Sequence, residues 1–171
     1  GGAMGSLVTC HLSEVLSSPV IQISNRKEHI NAVKENGLCF TDLNGNTRKC
    51  HNVIVDSVNQ IETESIDVVI ICTKVFQTEQ ALESAKEILS PNGVILSLQN
   101  GHNLEALSTK IDPQRILIGV TSMAAESKNP GTVIHRGNGK TSISPANPSS
   151  QNLSNFAQAI SNLFSKSGME P

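Results

Sequence analysis

The stretch "IDVVIICTKVFQTEQALESAKEILSPNGVILSL", residues 66–98, decides the fold. Its nearly continuous apolar run at residues 68–72 is typical of a strand buried on both faces of a parallel sheet. Residues 78–89 then carry apolar side chains at helical spacing, and a Pro-Asn-Gly turn at residues 91–93 leads into a second apolar strand, "VILSL". Strand, helix and strand in this order predict a parallel α/β sheet.

The segments on either side extend the same alternation. Ahead of this stretch, apolar spacing predicts a helix at residues 7–16 that ends before Pro19, a strand at residues 20–24, a helix at residues 27–37 closed by Gly37, and a strand at residues 53–55. After it come a short helix at residues 104–107 and a strand at residues 115–120. We therefore expect a doubly wound, mostly parallel sheet.

The pattern changes in the last third of the chain. "TVIHRGNGKTSIS", residues 132–144, predicts an antiparallel hairpin that turns at residues 137–139. Apolar residues on one face of residues 153–164 predict a last helix that ends at Gly168. The predicted fold class is α/β, with an antiparallel hairpin near the C-terminal end, and residues 1–171 are interpreted as one domain.

Composition narrows the range of partners. A net charge of -2 and a pI near 6.2 give no basic face for nucleic acid or an anionic membrane surface. The sequence holds no apolar run of about 18 residues, the length that a membrane span requires. We predict a soluble, cytoplasmic protein with no nucleic-acid or membrane partner, and the sequence leaves the oligomeric state open.

The cysteines and histidines do not form a recognisable metal or redox motif. Cys10, Cys39, Cys50 and Cys72 stand far apart, so they make neither a C-x-x-C pair nor the paired spacing of a zinc site. Reduced thiols are expected, with Cys10 and Cys72 packing as small apolar residues. The histidines also lack metal-ligand spacing, and His102 is interpreted as a loop residue. We therefore predict no metal site.

Residues directly after the strands are the candidates for ligand binding, because ligands of open parallel sheets bind at the carboxyl ends of the strands. Arg26 follows the strand at residues 20–24, where an NAD enzyme carries an acidic residue for the ribose 2′-hydroxyl. An arginine there can bind the 2′-phosphate of NADP, although it can also be a solvated helix-opening residue. Lys74 follows a later strand and either projects toward the same crevice or is solvated. Gln99 and Asn100 follow the next strand, and their amides either orient a nicotinamide ribose or a substrate carbonyl or shape the turn.

The opening residues "GGAMGS" have two incompatible interpretations. Gly-Ala-Met-Gly-Ser is a common remnant of a cleaved expression tag. The same letters match the second half of a Gly-x-Gly-x-x-Gly phosphate loop, with Gly2 as the second glycine and Gly5 as the third. The first interpretation would remove the segment from the fold, and the second would make it a cofactor site.

The order of several segments resembles one known family. "GGAMGSL", "SNRKEHINAVKENGL", "VVIICTKVFQT", "SLQNGHN" and "GVTSMAAESKNPGTVIHRGNGKTSI" follow one another as in the ketopantoate reductases, or 2-dehydropantoate 2-reductases. The matching segments resemble the N-terminal, Rossmann-like NADP-binding domain of that family. The most specific of them are K-x-x-Q-T at residues 74–78 and L-Q-N-G at residues 98–101. It favours the phosphate loop, because in that family the loop runs directly into a helix that opens with small and aliphatic residues.

The resemblance implies a reaction and roles for particular residues. Family members use NADPH to reduce ketopantoate to pantoate, on the route to pantothenate and coenzyme A. The resemblance assigns the pyrophosphate to Gly2, Ala3, Met4 and Gly5 and the adenosine phosphate side of NADP(H) to Arg26 and Lys74. It places Gln77 and Asn100 along the cofactor, with Asn100 also near the 2-keto acid substrate.

The family also has parts that this sequence lacks. The resemblance implies that a first strand and the first glycine precede Gly1, and that a helical catalytic domain follows Pro171. In the family, the proton donor is a lysine of that helical domain, supported by a glutamate. We therefore expect no catalytic acid in this chain, which would bind the cofactor and turn over poorly or not at all.

The sequence leaves three alternatives open. One is a reductase of another 2-keto acid within the same family. Another is a member of the wider β-hydroxyacid and 6-phosphogluconate dehydrogenase group, against which the Gln-Asn-Gly segment and Lys74 count. The third is a nucleotide-binding or sensory module that catalyses nothing, since fold does not determine function.

Overall fold

The computed structural model describes residues 1–50, 52–100 and 104–170. Its helices are α1 (Ala3–Leu12), α2 (Lys27–Asn36), α3 (Thr78–Ile88), α4 (Leu104–Ser108) and α5 (Gln151–Lys166). Its strands are β1 (Val20–Ile23), β2 (Leu38–Thr41), β3 (Thr47–Cys50), β4 (Asn52–Val55), β5 (Ile66–Ile71), β6 (Leu89–Ser97), β7 (Ile116–Thr121), β8 (Ala124–Glu126), β9 (Thr132–Gly137) and β10 (Thr141–Pro145). The chain divides into two compact units. The first unit holds Gly1–Gln60, Ser122–Thr141 and Leu163–Pro171, and the second holds Ile61–Thr121 and Ser142–Asn162.

The second unit contains the strand-helix-strand motif that the sequence predicts. Its sheet has the strand order β10-β7-β6-β5, and β6 pairs in parallel with both β5 and β7. The helix α3 buries Leu82 and Ala85 in a core that includes Ile71 of β5, Ile95 of β6 and Ile116 of β7. The apolar run and the helical spacing predict this arrangement because both patterns are local and strongly apolar.

An irregularity at the start of β6 accommodates the predicted Pro-Asn-Gly turn. The pairing partner jumps from Leu89, opposite Ile66, to Val94, opposite Val68. Gly93 lies in this irregular segment, and a Cβ at this position would stand 2.9 Å from the Ile66 carbonyl oxygen. The close approach of the two strands here requires a glycine.

The first unit combines two sheets with α1 and α2. In one sheet β1 pairs in parallel with β4, and in the other the strand order is β3-β2-β9-β8. In the second of these sheets β2 runs parallel to β9, whereas the β2–β3 and β8–β9 pairs are antiparallel. The prediction of a mixed α/β fold with parallel sheets and an antiparallel portion is confirmed.

The antiparallel portion differs in its pairing from the predicted hairpin at residues 132–144. The strand β9 pairs with β8, and β10 belongs to the sheet of β7. The hairpin therefore forms one strand earlier, because residues 127–131 reverse the chain between β8 and β9. The segment after β9 lies beside Ser122, since the Ser122 N–H donates to the Lys140 carbonyl (3.0 Å).

The first helix begins and ends earlier than its apolar spacing predicts. It spans Ala3–Leu12 rather than residues 7–16. Residues 13–15 form turns, in which the Val15 N–H donates to the Leu12 carbonyl (3.2 Å). The later helices match more closely. The backbone N–H of Gly37 (φ 78°) closes α2 on the Val33 carbonyl, and Gly168 (φ 82°) follows α5.

The prediction that all four cysteines are reduced thiols is wrong for one pair. Cys10 of α1 and Cys50 at the end of β3 form a disulfide across 40 residues of sequence. Both side chains are buried, and Cys39 and Cys72 are free. The pair is invisible to spacing rules because folding brings the helix and the distant hairpin strand together. Every helix within the described residues is too short or too polar to span a lipid bilayer.

Candidate functional site

The glycine segment begins α1 beside the end of β1. Gly2 is the N-cap residue, in an extended conformation, and its carbonyl accepts the first helical hydrogen bond from the Ser6 N–H (2.9 Å). A Cβ on Gly1 would collide with the Ser24 side chain, whereas one on Gly2 would have no described atom within 4 Å. The surface of the loop at Gly2 is therefore open. The N–H groups of Ala3, Met4 and Gly5 precede the first helical hydrogen bond, so they can donate hydrogen bonds to an anion.

A buried hydrogen bond fixes this helix start to the sheet. The Gln22 Nε2 of β1 donates to the Ser6 Oγ (2.8 Å), and Ser6 is fully buried. The Gly1 amine also donates to the Ile23 carbonyl (2.7 Å). The segment that has two interpretations in the sequence is therefore an integral part of the first unit. Ser6 and Gln22 are not predicted from the sequence, because a polar residue inside a helix or a strand gives no local signal of its partner.

Arg26 lies close to this helix start. It is the exposed N-cap residue of α2, and its N–H donates to the Ser24 Oγ (3.2 Å) at the end of β1. Burial lowers the pKa of His29, one turn further along α2, and the positive amino terminus and Arg26 lower it further. The exposed guanidinium of Arg26 favours an anionic ligand here.

The second unit carries another group of predicted site residues. Lys74 is exposed and follows β5, and Gln77 is half-buried and donates its N–H to the Lys74 carbonyl (2.9 Å). Asn100 is exposed beyond the end of β6. These residues all lie at the carboxyl ends of parallel strands, where open α/β sheets bind ligands.

Gln99 is buried, unlike its neighbour Asn100. Its Nε2 donates to the Thr73 carbonyl (3.2 Å) and to the Thr78 Oγ1 (2.9 Å), which lie on the loop that carries Lys74. Of the two roles that the sequence leaves open for this amide, the structure favours the shaping of the turn. His102, predicted as a loop residue, lies outside the described residues.

Cys72, His11 and His29 are of types that can act as nucleophiles or bind metal ions, but burial or a backbone hydrogen bond engages each of them. Burial raises the pKa of the Cys72 thiol, directly after β5, to about 12, so this thiol stays protonated at neutral pH. His11 Nδ1 donates to the Ser167 carbonyl (2.7 Å), and His29 Nδ1 accepts the Gly131 N–H (3.1 Å). Among residues 1–50, 52–100 and 104–170, no cluster of three His, Cys, Asp or Glu side chains could hold a metal ion.

The structure thus assembles two groups of predicted residues. Gly2, Ala3, Met4, Gly5 and Arg26 gather at the end of β1 in the first unit. Lys74, Gln77 and Asn100 gather at the ends of β5 and β6 in the second. The first group can bind a phosphate through backbone N–H groups and a guanidinium. The second offers an ammonium and two amides.

Sequence comparison identifies the family of this chain. A family profile described as "Ketopantoate reductase PanE/ApbA" matches residues 1–148. The curated 2-dehydropantoate 2-reductase of Pyrococcus horikoshii is 33% identical over 172 residues, which cover 99% of this chain and 52% of the relative. This chain spans about half the length of the curated relatives it matches.

Solved structures also match nearly the whole of this chain. The 2-dehydropantoate 2-reductase of Geobacter metallireducens superposes with a TM-score of 0.84 at 26% identity, and the match covers 99% of this chain and 54% of that one. D-mandelate dehydrogenase, solved with NADH and anilino(oxo)acetate, gives a TM-score of 0.86 at 26% identity, with 99% and 53% covered. Both neighbours have the same Rossmann-like fold as this chain.

Proposed function

Because the chain belongs to the ketopantoate reductase PanE/ApbA family, we propose that it is the cofactor-binding portion of an NADPH-dependent reductase. The whole protein would reduce ketopantoate to pantoate, on the route to pantothenate and coenzyme A. The observation that carries the proposal is the exposed Arg26 beside the open, anion-accepting start of α1. A guanidinium at this place fits a 2′-phosphate, whereas an enzyme for NAD would carry an acidic residue there.

The residues present fit this cofactor. The first turn of α1, from Gly2 to Gly5, would hold the pyrophosphate, because a Cβ on Gly2 would have no described atom near it and the helix dipole favours an anion. Arg26 and Lys74 would bind the adenosine phosphate side, and Gln77 and Asn100 would line the bound molecule. NADPH supplies a hydride for the 2-keto carbon when it is bound.

The reduced carbonyl also needs a proton, since hydride addition creates an alkoxide. We assign this proton to a lysine, supported by a glutamate, in the helical region that the relatives carry beyond the matched half. Asn100 would contact the substrate from this chain. The partner is then a small 2-keto acid, and we place the protein in the cytoplasm, where nicotinamide cofactors and such substrates are available.

A second candidate has one observation in its favour. The neighbour D-mandelate dehydrogenase was solved with NADH, so the same fold serves another 2-keto acid pair and the other nicotinamide cofactor. Under this alternative Arg26 would be a solvated residue at the start of α2. A nucleotide-binding module without catalysis is the third possibility, and it is distinguished by turnover of the complete protein.

The experiment is a fluorescence titration of the chain with NADPH and with NADH at one salt concentration. We expect NADPH to bind more tightly, and Arg26→Ala to weaken NADPH binding by roughly 10- to 100-fold while leaving NADH binding nearly unchanged, because a hydrogen bond to a charged group contributes about 1.5–3 kcal/mol. Arg136→Ala is the matched control, since Arg136 is exposed, lies in the same unit and pairs with Glu126. Equal affinities for both cofactors in the unaltered chain would favour the second candidate.

A further inference from the structure

We infer that Gln99 is a positioning residue, whose buried side-chain amide sets the shape of the loop carrying Lys74 and so controls how tightly that loop binds the cofactor. The inference rests on the proposed function, because it assigns Lys74 to NADPH. It concerns only the second unit, in which Gln99 and the loop at residues 72–78 both lie.

One amide nitrogen connects the two ends of this loop. The Gln99 Nε2 lies within hydrogen-bond distance of the Thr73 carbonyl (3.2 Å), the Thr73 Oγ1 (3.1 Å) and the Lys74 carbonyl (3.4 Å) at the start of the loop. It also lies 2.9 Å from the Thr78 Oγ1 at the end of the loop. Two N–H hydrogens thus serve four oxygen atoms, and the side chain is only 6% exposed.

The orientation of the amide follows from its partners. The Thr73 and Lys74 carbonyls can only accept hydrogen bonds, so the nitrogen and not the oxygen must face them. The oxygen accepts from the Ser97 Oγ (3.2 Å) on β6. Gln99 therefore fixes the loop to the end of its neighbouring strand.

The loop has its own hydrogen bonds, which depend on the same geometry. The Gln77 N–H donates to the Lys74 carbonyl (2.9 Å), and the Thr78 Oγ1 donates to the Val75 carbonyl (2.6 Å). The Thr78 Oγ1 can accept a hydrogen bond from the Gln99 amide because its own hydrogen is donated to the Val75 carbonyl. The Lys74 side chain is thus exposed, whereas its backbone carbonyl accepts hydrogen bonds from the Gln77 N–H and the Gln99 amide. A lysine held in this way loses less freedom when it binds a phosphate.

Gln99→Met tests the inference in the cofactor-free chain. Methionine has a similar length and removes every hydrogen bond of the amide. We expect faster amide hydrogen exchange at Gln77, whose N–H reports the loop geometry, with little change elsewhere. Gln158→Met is the matched control, since Gln158 is exposed on α5 and pairs with Asn162. Unchanged exchange at Gln77 would overturn the inference.

A double-mutant cycle tests the connection to Lys74. We expect Gln99→Met to weaken NADPH binding about tenfold in the otherwise unaltered chain and to have no effect in a Lys74→Ala background. If Gln99→Met does not fold, as judged by circular dichroism, Thr78→Val replaces it, because valine has a similar shape and removes one partner of the amide.

The outcomes separate the two proposals. A chain that does not bind NADPH, or whose binding Lys74→Ala leaves unchanged, counts against the proposed cofactor assignment and the inference together. Binding that Lys74→Ala weakens, with a Gln99→Met effect that is absent or equal in both backgrounds, counts against the inference alone.

Discussion

At the scale of single residues, His29 is a buried histidine whose pKa differs between the folded and the unfolded chain. Burial lowers its pKa below the usual 6.5, with smaller effects from the amino terminus and Arg26, so the unfolded chain takes up a proton at a higher pH than the folded chain. The neutral ring accepts the Gly131 N–H and contributes fully to stability above about pH 6.5. This contribution is lost as the pH falls below that value.

We predict that the thermal midpoint of the chain falls between pH 7 and pH 5, and that His29→Gln reduces this fall. Glutamine does not titrate and keeps an oxygen acceptor, so it removes the pH dependence while keeping the polarity. The measurement is thermal unfolding by circular dichroism at several pH values. Parallel curves for both proteins would contradict the prediction.

Burial distinguishes two polar residues that the sequence presents alike. Arg26 and Gln99 both follow predicted strands, and their positions predict that both can contact a ligand. In the structure Arg26 is exposed, whereas Gln99 is 6% exposed and bonded to the loop beside it. Sequence position predicts that a residue lies at a strand end. It does not predict which atoms surround the side chain, since these come from distant segments.

At the level of elements, the loop between β8 and β9 has a strict requirement for glycine. Gly131 has a φ of 71°, and a Cβ there would stand 2.9 Å from the Ala32 Cβ on α2. Gly45, in the turn between β2 and β3, has a φ of 86° but would place its Cβ with no described atom within 4 Å. A substitution at Gly45 therefore introduces backbone strain alone, whereas one at Gly131 introduces backbone strain and a steric collision.

We predict that Gly45→Ala lowers the free energy of unfolding by about 1–2 kcal/mol, which is the cost of a left-handed conformation for an alanine. Gly131→Ala should cost more, because α2 must also move away from the new methyl group. Urea unfolding of both variants measures the difference. Equal losses would show that α2 accommodates the methyl group without cost.

The elements that sequence reasoning predicted are those with strong local patterns. The sequence predicts the strands β5 and β6 and the helix α3 because their apolar residues form a run or a helical stripe. The strands β2 and β3 were not predicted, since each has only four residues and β3 is largely polar. The signal that could have revealed them is the Asn44-Gly45 turn between Phe40 and Arg48.

The disulfide between α1 and β3 should contribute strongly to stability. Closing a loop of 40 residues is worth about 4 kcal/mol through its effect on the unfolded chain. We predict that a reducing agent lowers the thermal midpoint of the unaltered chain, and that Cys10→Ser/Cys50→Ser has a low midpoint that the agent does not change. Cys39→Ser is the control and should still respond to the agent. A midpoint that never responds to the agent would show that the bond contributes nothing.

At the scale of the whole molecule, we predict that this chain binds NADPH without consuming it. The general acid that we assign lies in a region that the matched relatives carry beyond this half, and such an acid contributes roughly 10²- to 10⁴-fold to a rate. The measurement is the loss of NADPH absorbance with ketopantoate present. The full-length Pyrococcus horikoshii relative serves as the positive control. Turnover by this chain at a comparable rate would contradict the assignment.

The order of strands in the first unit has a consequence for how the protein is made. The strand β9 lies between β2 and β8, although about 90 residues separate it from β2 along the chain. During synthesis the β2–β3 hairpin leaves the ribosome long before its parallel partner exists, so one edge of β2 stays unpaired meanwhile. We therefore expect the first unit to close late in translation, and a nascent chain paused before residue 132 to expose a strand edge on which other chains can pair.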